Sequence, residues 1–68
     1  MEPETEKIIE NLRETRLLSK ISLLSLANQV DISHSHLYYI ESKRVIPSVD
    51  LIVKLAKALK INPVVLFE

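Results

Sequence analysis

Apolar residues recur along this chain at steps of three and four, the spacing of one face of an α-helix and not of a half-buried strand. Leu23, Leu26, Ala27 and Val30 mark out one short helix, about Leu23 to Val30. Leu37, Ile40 and the stem of Glu41 mark out a second, about His34 to Ser42. Asp31-Ile32-Ser33 separates the two. Ser22 and Ser33 stand where an N-cap hydroxyl can accept a hydrogen bond from a free early N–H. Two short helices joined by so brief a turn form a helix-turn-helix, here over about residues 22–42, whose second helix suits the DNA major groove.

The pattern continues on both sides. A first helix is expected from about Glu4 to Arg16 or Leu18, with Ile8, Ile9 and Leu12 inward. Leu17 to Ile21 is a connection able to prolong it by a turn, and the pattern leaves that boundary open. Lys43 to Pro47 reads as a loop. Pro47-Ser48 is a stop and restart before a helix from about Val49 to Leu59 with a broad stripe of Leu51, Ile52, Leu55, Ala56 and Leu59. Asn62-Pro63 starts a fifth, from Pro63 to about Phe67, with Asn as cap and Pro at the first helical position. The expectation is an all-α, five-helix domain spanning residues 1–68, without repeat or linker.

Turned at about 100° per residue, the second helix of the pair points Leu37 and Ile40 one way and Ser35, Tyr38, Tyr39 and Ser42 the other. His34 stands at its start and His36 on a flank. This outer face has no aliphatic residue and no acid, so it can meet nucleic acid without charge repulsion. The candidates for base edges are His34, Ser35, Tyr38 and Tyr39. The candidates for phosphates are Ser33, Ser42, Lys43 and Arg44.

Composition narrows the classes. The chain has 68 residues, 47% of them hydrophobic, which allows one small domain with a modest core. It contains no cysteine, so no disulfide or thiolate zinc site supports it. It contains no glycine, which argues against any Gly-rich phosphate loop. No apolar run approaches membrane-spanning length and no signal-peptide pattern is present, so a cytoplasmic protein without membrane association is expected. His34 and His36 are two apart on one helix and diverge, so they cannot share a metal. Ser33 and Ser35 have no base and orienting group beside them. Neither an enzyme, a cofactor, a metal nor a small-molecule ligand is expected.

The formal net charge is zero, with nine basic and nine acidic residues. DNA affinity comes largely from phosphate neutralisation, so the distribution matters more than the sum. Glu2, Glu4, Glu6, Glu10 and Glu14 concentrate acid in the first helix. From Ser33 to Lys60, Lys43, Arg44, Lys54, Lys57 and Lys60 stand against Glu41 and Asp50.

With these elements placed, Ile21 to Phe67 resembles the Cro/cI-type helix-turn-helix family, also called the XRE family of bacterial and phage regulators. The resemblance rests on Ile-Ser-Leu-Leu-Ser-Leu-Ala at 21–27, Asp-Ile-Ser-His-Ser-His-Leu-Tyr-Tyr-Ile-Glu at 31–41, Pro-Ser-Val-Asp-Leu-Ile-Val-Lys-Leu-Ala-Lys-Ala-Leu at 47–59 and Ile-Asn-Pro-Val-Val-Leu-Phe at 61–67. It implies a lambda-repressor-like domain that binds double-stranded DNA, and the expectation is a sequence-specific transcriptional regulator, a repressor, acting as a homodimer on a pseudo-palindromic operator. It further implies an ion pair between Arg13 and Glu41, and self-association through Val65 and Phe67. The chain departs from the family in four places. Asp31 and Lys43 stand where glycine is usual, and Leu23 stands where a phosphate-binding Gln is common. The first connection is about three residues longer than usual. A protein-interaction module that keeps the helix-turn-helix shape is the alternative, favoured by the zero net charge and by Leu23.

Overall fold

The computed structural model describes residues 1–68 and is helical throughout, with no strand. Helix α1 spans Pro3–Leu18, α2 Leu23–Gln29, α3 His34–Glu41 and α4 Val49–Ala58. A 3-10 helix, Pro63–Phe67, follows. The fifth expected α-helix is therefore a 3-10 helix. Its five residues provide too few i→i+4 partners, and Val65 N–H instead donates to Asn62 C=O at 2.9 Å.

Local chemistry fixes each start. Pro3 occupies the first turn of α1, with Glu4 and Glu6 near the positive end of the helix. Ser22 Oγ accepts from Ser25 N–H at 3.0 Å, Ser33 Oγ from His36 N–H at 3.0 Å, and Ser48 Oγ from Leu51 N–H at 3.1 Å. Asn62 Oδ1 accepts from Val64 N–H at 3.0 Å. Each bond satisfies a donor that the helix start leaves free.

The four α-helices all end in the same way. The residue after each C-cap is left-handed and none is glycine: Lys20 at φ 58°, Asp31 at 59°, Lys43 at 66° and Lys60 at 61°. In every case the next N–H reaches back to a carbonyl five residues earlier: Ile21 to Arg16, Ile32 to Ala27, Arg44 to Tyr39 and Ile61 to Ala56. These are Schellman closures, which satisfy the last carbonyls at the cost of a Cβ in the left-handed region. They also settle the open boundaries. Helix α1 runs to Leu18, while Val30, Ser42 and Leu59 are C-caps beyond α2, α3 and α4.

The core lies between the helices. Leu12, Leu26, Ala27, Leu37, Ile40, Leu55, Ala56 and Leu66 are almost fully buried and belong to one cluster. Leu66 closes it from the 3-10 helix, and Asn11 Nδ2 on α1 donates to the Leu66 carbonyl at 2.9 Å. Packing on both neighbours thus holds α3 with Leu37 and Ile40 inward and its opposite side in solvent.

Candidate nucleic-acid interface

The outer face of α3 is built as the helical spacing requires. His34, Ser35, Tyr38, Tyr39 and Ser42 are exposed and His36 is half-buried. Ser33, at the turn, is exposed as well, though its Oγ already serves as acceptor for the helix cap. Its hydroxyl proton is free to donate outward. Ser42 Oγ donates to the Tyr39 carbonyl at 3.3 Å, so its proton is engaged.

The two tyrosines form an edge-to-face pair, with ring centroids 5.7 Å apart and planes at 61°. Arg44 lies over the Tyr39 ring, its Cζ 5.8 Å from the centroid. That stacking follows from the helix end. Arg44 and Tyr39 are the two residues joined by the closing backbone bond of α3, positions that are more often in apolar contact. Tyr38, Tyr39 and Arg44 thus form one continuous exposed surface, with Ser35 a turn earlier.

Lys43 points elsewhere. Its Nζ forms an ion pair with Glu10 on α1, on the flank of the domain. The Glu10 carboxyl is held below the usual carboxylate range, first by the hydrogen bond from Lys43 and then by its charge. The Lys43 ammonium is raised above its usual range, chiefly by the hydrogen bond to Glu10. Lys43 is therefore not grouped with Arg44.

The expected pair of Arg13 with Glu41 is replaced by Arg16 with Glu41. Arg16 Nε donates to Oε2 at 2.7 Å and Nη2 donates to Oε1 at 2.9 Å, a two-point match between planar groups. Arg16 Nη1 also donates to the Ile21 carbonyl at 3.0 Å. Both residues are buried, and no buried side-chain polar atom lacks a partner. The reason is register. Arg16 follows Ile9 and Leu12 by seven and four positions, in the middle of the buried stripe, while Arg13 is exposed beside a groove lined by Glu10, Glu14, Leu17 and Lys43. The Ile9–Leu12–Arg16 spacing was the available signal.

Leu23 is half-buried against the core and offers no polar atom at the start of α2. Val65 and Phe67 are exposed, at 46% and 56%, and Leu18 at 76% stands across a shallow groove from Val65. No helix is long and apolar enough to cross a membrane.

A family model described as helix-turn-helix, of the XRE class, matches residues 12–66. The match covers most of the chain, and the protein belongs to this family of DNA-binding transcription regulators, which is not an enzyme family. No curated protein matches the chain significantly.

Proposed function

We propose that this protein is a sequence-specific repressor that inserts α3 into the major groove of a pseudo-palindromic operator and acts as a homodimer in the cytoplasm. One observation carries the reading: the exposed face of α3 presents Ser35, Tyr38 and Tyr39, and Arg44 is stacked on Tyr39. Hydroxyls and ring edges suit base readout, and a guanidinium lying over a ring suits a phosphate beside the groove. In this reading His34 and Ser35 lead the helix into the groove and Tyr39 reads a base edge. Tyr38 borders the core-side flank. Arg44, with the Ser33 hydroxyl, holds backbone phosphates, and Ser42 lies at the edge of that contact.

A single short reading helix with so few cations near it binds weakly. Two copies spaced about 34 Å apart on the duplex double the contacts. The exposed Val65 and Phe67, continued by Leu18, form the apolar surface proposed for self-association. Selection of duplexes from a random pool, followed by protection mapping, tests the function. A repressor of this kind enriches an inverted repeat with half-sites one helical turn apart.

A second reading keeps the fold and drops the DNA. The zero net charge, Leu23 in place of a polar side chain, and the engagement of Lys43 by Glu10 all favour a protein-interaction module. Retention on heparin or random duplex at low salt separates the two readings, because the module elutes without delay.

A further inference from the structure

Lys43 is the first cation after the reading helix, yet its ammonium is turned back onto α1. Its partner Glu10 lies on one ridge of that helix with Glu6 and Glu14, four residues apart in each direction. Glu6 also acts on the Lys43 charge. The left-handed backbone at Lys43 directs the chain out of α3 beside this ridge, and the groove there is walled by Glu10, Arg13, Glu14 and Ser42. Both side chains are partly exposed, so solvent and ions reach the pair. Such a surface ion pair is weak and exchangeable.

We propose that Glu10 is an internal competitor of DNA phosphate for Lys43, and so sets the affinity and salt sensitivity of DNA binding. The inference rests on the DNA-binding reading above. A carboxylate and a phosphate oxygen offer the same ammonium the same kind of charge-assisted bond. While Glu10 holds Lys43, the cation neutralises protein charge and not DNA charge. Binding then releases fewer counterions than the basic residues beyond α3 would allow. The acidic ridge limits the protein's footprint on the duplex at the end of α3, and the contact with phosphate falls to Arg44.

The test is the salt dependence of affinity for a selected duplex, measured for the wild type, Glu10→Gln, Glu14→Gln and Glu10→Gln with Lys43→Gln. Glu10 and Glu14 are exposed, so all four proteins are expected to fold. Release of Lys43 in Glu10→Gln should steepen the slope of log affinity against log salt by up to about 0.9 per subunit, and tighten binding at 0.1 M salt by no more than about fivefold per subunit, because a weak surface pair withholds no more than its own strength. Glu14→Gln, which removes the same charge one turn away, should leave the slope unchanged. Adding Lys43→Gln to Glu10→Gln should abolish the gain. A gain that persists without Lys43, or equals that of Glu14→Gln, reduces Glu10 to general repulsion and overturns the inference. An unchanged slope in Glu10→Gln, with DNA bound normally, also overturns it while leaving the DNA-binding reading intact. Absence of binding by every protein at low salt overturns both.

Discussion

Arg16 on α1 and Glu41 at the end of α3 meet through two hydrogen bonds, 2.7 and 2.9 Å long, with both side chains buried. The third bond, from Arg16 to the Ile21 carbonyl, ties the same guanidinium to the chain just before α2. One side chain therefore ties α1 both to the end of α3 and to the chain entering α2. Removing either partner strands a buried charge, at a cost of about 3–5 kcal/mol. Arg16→Met and Glu41→Gln are each expected to lower the melting temperature by well over 10 °C, given about 4–8 °C per kcal/mol for a domain of this size. Arg13→Ala should change it little. Arg16→Met combined with Glu41→Gln should lose less than the sum of the two single losses, as read by thermal denaturation.

The glycine-free helix ends predict a gain. A left-handed residue with a Cβ costs about 1–2 kcal/mol, a penalty that glycine escapes at some cost in unfolded-chain entropy. Lys20→Gly and Lys60→Gly are expected to stabilise by about 0.5–1 kcal/mol each, and to add, because the two ends are separate. Asp31→Gly should gain less, since Asp adopts this conformation more readily. Lys43→Gly loses its ion pair with Glu10, which offsets part of the benefit. Urea denaturation of the four variants checks the order.

The Glu10–Lys43 pair has a signed pH dependence. The folded Glu10 carboxyl lies below its ordinary 4.5, so its contribution is present above that pH and is lost as pH falls through the lowered value. The folded Lys43 ammonium lies above its ordinary 10.5, so its contribution is present below that pH and is lost as pH rises through the raised value. The stability difference between wild type and Glu10→Gln should be small, constant across neutral pH, and should shrink outside both limits. A difference that instead changes between pH 6 and 8 would assign the effect to another group.

Much of the fold was legible because its signals are local. Ser22, Ser33, Ser48 and Asn62 cap the N–H groups two or three residues on, and the apolar steps in between give the inward faces. The exposed face of α3 followed from the same spacing. The ion-pair partner of Glu41 was not legible in the same way. The Ile9–Leu12–Arg16 spacing places Arg16 on the buried stripe and Arg13 outside it, but an arginine on such a stripe reads as its polar edge until the approach of Glu41 on α3 is known. The pairing of Lys43 was hidden because its partner is 33 residues away. The left-handed Lys20 and Lys60 carry no glycine to announce them. The signal at both places is an isoleucine, Ile21 or Ile61, directly after a lysine at a helix end.

Self-association is expected through the surface beside the 3-10 helix. Phe67 is more than half exposed and contributes little to the core, so Phe67→Glu should leave the fold intact. Sedimentation should show a dimer at micromolar concentration for the wild type and a monomer for Phe67→Glu, with weaker operator binding. A wild type that stays monomeric both free and on DNA would exclude this interface.

Tyr39 supports Arg44 as well as facing outward, so a truncation confounds reading with anchoring. Tyr39→Phe keeps the ring under the guanidinium and removes only the hydroxyl. The most direct measurement is the affinity of wild type, Tyr39→Phe and Arg44→Ala for a selected operator and for a scrambled duplex across a salt series. Tyr39→Phe should lose about 1–3 kcal/mol on the operator and almost nothing on the scrambled duplex. Arg44→Ala should weaken both alike and flatten the salt slope by about one unit per subunit. If Tyr39→Phe binds both duplexes as the wild type does, and Arg44→Ala leaves the slope unchanged, then the outer face of α3 is not the surface that meets DNA.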